Sequence, residues 1–114
     1  MEIKTDDYHI IFDKPSATVI CKGSLLLSGT EEYAPILDLL NQAAEQQAEQ
    51  LVLDLRPLEF LNSSGINTLT KFVINVRNRQ TLQLTGMGYE EIPWQVRLLK
   101  NLKRLMPDLQ LNLE

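Results

Sequence analysis

Cysteine occurs once, as Cys21, so no internal disulfide can form; it lies in the apolar run Thr18-Val19-Ile20-Cys21, where a buried and inert thiol is the plain reading. Histidine also occurs once. A Ser-His-Asp hydrolase would need His9 within hydrogen-bond reach of a serine, but Tyr8 and Ile10 flank it in a strand-like run, which suits an edge-strand side chain better than a general base. No Cys/His cluster has metal-ligand spacing, no glycine loop ends in Lys-Ser or Lys-Thr, and no glycine-flanked serine has the nucleophile-elbow form. Neither a metal, nor a cofactor, nor independent catalysis is expected. Aromatic residues are sparse, and Trp94 and Tyr33 have no basic, aromatic-rich surroundings, so both read as core or half-buried residues rather than platforms for stacked bases. No run approaches the roughly 18 apolar residues of a membrane span, and Met1 to Asp7 has no signal-peptide core, so the expectation is a cytoplasmic protein without a membrane partner.

What is present suffices for one core. With 114 residues, 44% of them hydrophobic, the chain is expected to form a single domain over residues 1–114. The net charge of -4 argues against a nucleic-acid partner, although the charge is unevenly divided. Residues 1–54 carry ten acids and three bases, whereas residues 55–114 carry five acids and eight bases. Arg97, Lys100, Lys103 and Arg104 fall on the last helical segment, where cations complement the carbonyl end of a helix; a solvated face is the simplest account of them.

Hydrophobic periodicity orders the elements. Tyr8 to Phe12 and Thr18 to Lys22 read as a hairpin around Asp13-Lys14-Pro15-Ser16. Gly23 to Gly29 reads as a glycine-bounded connection. Tyr33, Ile36, Leu37, Leu40 and Ala44 form a helical stripe, capped by Thr30 or a neighbour, with Glu31 and Glu32 in the first turn and Pro35 near the start. Thr81 to Thr85 alternates as a half-buried strand that Gly86-Met87-Gly88 ends. Pro93 to Met106 is a third helix, buried through Val96 or Gln95 together with Leu98, Leu99, Leu102 and Leu105; Leu109 to Leu113 is a last strand near a sheet edge. Strands separated by helices imply parallel neighbours, so the fold class is α/β, a mixed sheet of about five strands flanked by helices.

Leu51 to Leu55 reads as the central, buried strand of that sheet, with Arg56-Pro57-Leu58-Glu59 as its turn. Phe60-Leu61 then leads to Asn62-Ser63-Ser64-Gly65 and a helical pattern in which Ile66, Leu69, Val73 and Val76 face the core while Asn67, Lys71, Asn75 and Asn78 face water. Asn62 or Ser63 is the natural N-cap. Two serines thus fall at a helix N-terminus, where unpaired N–H groups and the helix dipole favour an anion, including a phosphate carried by a serine. Their plainest role is to cap the helix.

Leu53-Asp54-Leu55 followed by Phe60-Leu61-Asn62-Ser63-Ser64-Gly65-Ile66 and Leu69 resembles the signature of STAS domains, the family of bacterial anti-sigma factor antagonists, over a specific segment of roughly 25 residues. The resemblance implies a STAS-like fold and partner switching. In that scheme the unmodified antagonist binds an anti-sigma factor that is also a serine kinase, the kinase phosphorylates the antagonist, and a phosphatase restores it. It also implies Ser64 as phosphoacceptor, with Ser63 as second choice, and a partner-binding surface of Asn62, Ser63, Ser64 and exposed neighbours such as Lys71. Two positions depart from the family. Asn62 stands where aspartate is usual, and Gly23-Ser24-Leu25-Leu26 replaces Gly-Glu-Leu-Asp near the expected partner surface, which points to a different partner. Glu32-Tyr33-Ala34-Pro35-Ile36 also resembles a segment of another small bacterial regulator family, whose members bind and activate diguanylate cyclases. The alternative expectation is therefore an unphosphorylated scaffold or regulatory subunit for a signalling protein such as a diguanylate cyclase. A homo-oligomer is compatible with either.

Overall fold

The computed structural model describes residues 1–114. The chain runs β1 (Glu2–Lys4), β2 (Tyr8–Asp13), β3 (Thr18–Leu25), α1 (Gly29–Gln46), β4 (Gln50–Asp54), β5 (Leu58–Leu61), α2 (Ser63–Arg79), β6 (Gln83–Gly88), α3 (Pro93–Leu105) and β7 (Gln110–Leu113). All seven strands join one mixed sheet in the order β1-β2-β3-β4-β6-β7. β4 and β5 share one edge of β3: Thr18 to Ile20 pair with β4, and beyond an irregularity at Gly23 and Ser24 the strand pairs with β5. β2 pairs antiparallel with β1 on one side and β3 on the other, and every later pairing is parallel, as helical crossovers require. β4 lies in the middle, as its uninterrupted apolar run demands.

Seven strands replace the expected five because β1 and β5, of three and four residues, are too short to show a period. β1 also covers β2, so His9 is not on an edge strand; it pairs instead with Glu2, Nε2 lying 2.5 Å from the carboxylate. β6 runs on through Gly86 and Met87 and ends at Gly88. α3 lies so close that a Cβ on either glycine would come within 3 Å of the Leu99 side chain, so these glycines make room for a helix instead of breaking a strand. Pro35 lies beyond the first turn of α1, on its exposed side.

The second helix also departs from its expected stripe. Leu69, Phe72, Val73 and Val76 are buried, whereas Ile66 is 40% exposed. Gln95, not Val96, occupies the fully buried position early in α3. Its amide donates to the carbonyls of Leu55 (2.8 Å) and Leu58 (3.1 Å), and its oxygen accepts the Tyr89 N–H (2.8 Å), so one side chain ties the start of α3 to the β4–β5 turn. Arg56 in that turn grips Asp54 through two nitrogens, each 2.9 Å from a carboxylate oxygen, and reaches Glu114 at 3.0 Å. The chain end is thereby tied to the centre of the sheet.

Candidate functional site

β5 delivers the chain to Asn62, whose extended backbone (φ -91°, ψ 179°) precedes the first turn of α2. Asn62 Oδ1 accepts the Gly65 N–H at 3.0 Å, the bond that defines an N-cap. Asn62 Nδ2 donates to the Leu27 carbonyl at 2.7 Å. The amide orientation follows from its partners, since a backbone N–H can only donate and a carbonyl can only accept. An aspartate would keep the first bond and turn an oxygen toward Leu27 in place of the second. The amide at this position therefore has a structural reason: it joins α2 to the segment that leads into α1.

Tyr33 completes the joint. Its buried hydroxyl lies 2.6 Å from Asn62 Oδ1 and 2.9 Å from the Leu25 carbonyl, the two acceptors for its one proton, and it accepts the Leu27 N–H at 3.3 Å. Burial raises the phenol's pKa above its ordinary value, so the group stays a neutral donor at physiological pH. Gly65 is required beside it. A Cβ there would overlap the Leu61 side chain and come to 2.8 Å from the Tyr33 hydroxyl. Periodicity marks Tyr33 as an apolar member of the α1 stripe, because it registers the ring and not the hydroxyl.

Ser63 is exposed, and Ser64 follows it half-exposed as the second residue of α2. Ser64 Oγ accepts the N–H of Gly29, the first residue of α1, at 3.3 Å. Two helix N-termini thus meet at one hydroxyl. At the start of α1 the Ser28 side chain makes no capping bond, and its backbone N–H is taken by the Glu32 carboxylate at 2.7 Å. Lys71 is exposed two turns further along α2, beside a depression between α1 and α2 that Thr30, Ala34 and Asp38 also line. The geometry therefore places Asn62, Ser63 and Ser64 together and Lys71 on the adjoining surface. His9 is engaged with Glu2 on β1.

Four large apolar side chains surround this end of the molecule. Leu26 (61% exposed) follows β3, Phe60 (58%) is near the end of β5, Ile66 (40%) is in the first turn of α2, and Tyr89 (37%) follows β6. All lie where the parallel strands end and the helices begin, the region where open α/β sheets place their binding sites. Apolar spacing places Ile66 in the core and gives no sign that Leu26 and Phe60 lie at the surface. Ile66 shares its spacing with the buried Leu69, Val73 and Val76, and Leu26 directly follows the buried Leu25.

No protein-family model and no curated protein matches the sequence. The backbone is similar to solved structures from Pseudomonas aeruginosa. It matches a chain of the diguanylate cyclase SiaD in complex with its activator SiaC with a TM-score of 0.74 and 14% identity, covering 100% of this chain and 99% of that one. It also matches SiaC alone (TM-score 0.67, 14% identity, 100% and 98% covered) and apo-SiaC (TM-score 0.70, 10% identity, 100% and 98% covered). At these identities the likeness establishes a shared fold, end to end.

Proposed function

We propose that this chain is a regulatory protein that binds a signalling enzyme of the diguanylate cyclase kind, through the surface formed by Asn62, Ser63, Ser64, Lys71 and the apolar rim beside them. The observation that carries the reading is the end-to-end match to SiaC, an activator in complex with a diguanylate cyclase. The Glu32-Tyr33-Ala34-Pro35-Ile36 segment agrees with it, and Tyr33 is the residue that joins α1 to the serine loop. Partner switching with an anti-sigma factor would use the same serine, but the structural neighbours favour the cyclase.

Ser64 is the proposed phosphoacceptor, with Ser63 as the second choice, and a separate serine kinase and phosphatase would set its state. A phosphate there adds about -1.5 to -2 charge at two helix starts, which suits the fold, and it puts that charge in an apolar interface, which does not suit binding. No helix is long and apolar enough to cross a membrane, and the proposed setting is the cytoplasm.

The test is to add the purified chain to each diguanylate cyclase of its source organism and follow product formation. One enzyme should respond to wild type and to Ser64→Ala and should fail to respond to Ser64→Glu. If no cyclase responds while the chain forms a stable complex with an anti-sigma kinase, the cyclase reading is wrong.

A further inference from the structure

Between the first turn of α2 and the exposed side of α3 lies an apolar depression lined by Leu61, Ile66, Trp94, Arg97, Leu98 and Asn101. Arg97, Lys100 and Arg104 recur at spacings of three and four residues, so they form one row along α3, and all three are exposed. None makes an ion pair within the chain, whose salt bridges are confined to His9–Glu2 and the Arg56 cluster. An open apolar floor with Arg97 in its lining and two further unneutralised bases continuing that row along α3 has a definite complement.

We infer that this depression takes an amphipathic helix of the partner protein, its apolar stripe seated on Ile66, Leu61 and Trp94 and its acidic flank along Arg97, Lys100 and Arg104. The inference rests on the partner-binding reading above and extends its surface, through the shared Ile66, onto α3. A helix suits the depression because anchors at i, i+3, i+4 and i+7 match a floor that runs along α3. A second copy of this chain suits it poorly. The acid-rich helix it could offer is α1, with Glu31, Glu32 and Asp38 exposed, but the apolar stripe of α1, Tyr33, Ile36, Leu40 and Ala44, is buried in its own core.

The probes are two synthetic helices of about 20 residues with the same leucine stripe, one flanked by glutamate and one by lysine, each fluorescein-labelled and read by anisotropy. The glutamate helix should bind wild type at least tenfold tighter than the lysine helix, and the difference should shrink between 50 mM and 500 mM salt. Arg97→Glu should reverse or abolish the preference, and Ile66→Asp should weaken both peptides. Both positions are exposed, so both variants should fold, which circular dichroism checks. Absence of binding, equal affinity for the two helices, or a preference unchanged by Arg97→Glu overturns the inference. Self-association in the ultracentrifuge that Ile66→Asp abolishes would also overturn it, by assigning the depression to a second copy. Because the peptide assay contains no cyclase, its outcome is separate from the turnover test of the functional reading.

Discussion

Asn62 meets two demands that pull in different directions chemically. Its oxygen caps α2, a task aspartate performs about equally well, and its amide N–H donates to Leu27, a task aspartate cannot perform. Asn62→Asp should therefore keep the cap and lose the joint, lowering stability by ~1–3 kcal/mol through an unpaired carbonyl facing a carboxylate, as urea denaturation would measure. A variant as stable as wild type would show that the Leu27 bond matters little. Cys21 gives a separate check on the core. Burial, with a smaller contribution from Asp54, pushes its thiol from an ordinary value of 9.0 up to about 12. The folded chain then holds a proton that the unfolded chain releases as pH rises through about 9, so this group makes stability fall from about pH 9 to 12. Thiol reagents at pH 8 should label Cys21 slowly in native protein and rapidly in urea, and Cys21→Ala should flatten the alkaline slope.

At the scale of elements, the long periodic segments were legible and the short or doubly used ones were not. β4, α2 and α3 follow directly from apolar spacing, and Pro93 fits the first turn of α3 as expected. β1 and β5 escaped because pairing, not pattern, makes them strands. Gly86 misleads, because a packing glycine inside a strand and a strand-ending glycine such as Gly88 look alike without the helix above them. At the site, the serines and their cap could be read, since capping is local. The Tyr33–Asn62 contact spans 29 residues and could not be. Pro35 carries the element-scale prediction. Lying inside α1, it removes one intrahelical hydrogen bond at an exposed position, so Pro35→Ala should raise stability, by up to ~3 kcal/mol. A fall in midpoint would contradict this and show that the proline ring contributes more than the lost hydrogen bond costs.

For the whole molecule, the parallel strands end, three helices start, and Leu26, Phe60, Ile66 and Tyr89 gather at one pole, with Ser64 among them. A hydroxyl there can sit in an interface, whereas a phosphate must be stripped of water to do so. Ser64→Ala should remain folded and bound, because Asn62 supplies the cap. The most direct measurement is titration calorimetry of the responding cyclase against wild type, Ser64→Ala, Ser64→Glu and the Ser64-phosphorylated protein. The account predicts comparable affinity for the first two, weaker binding for glutamate, and a loss of ~2–5 kcal/mol for phosphate, the scale of an unmatched buried charge. Equal affinities across all four would contradict it and leave a constitutive scaffold in which Ser64 only tethers α1 to α2.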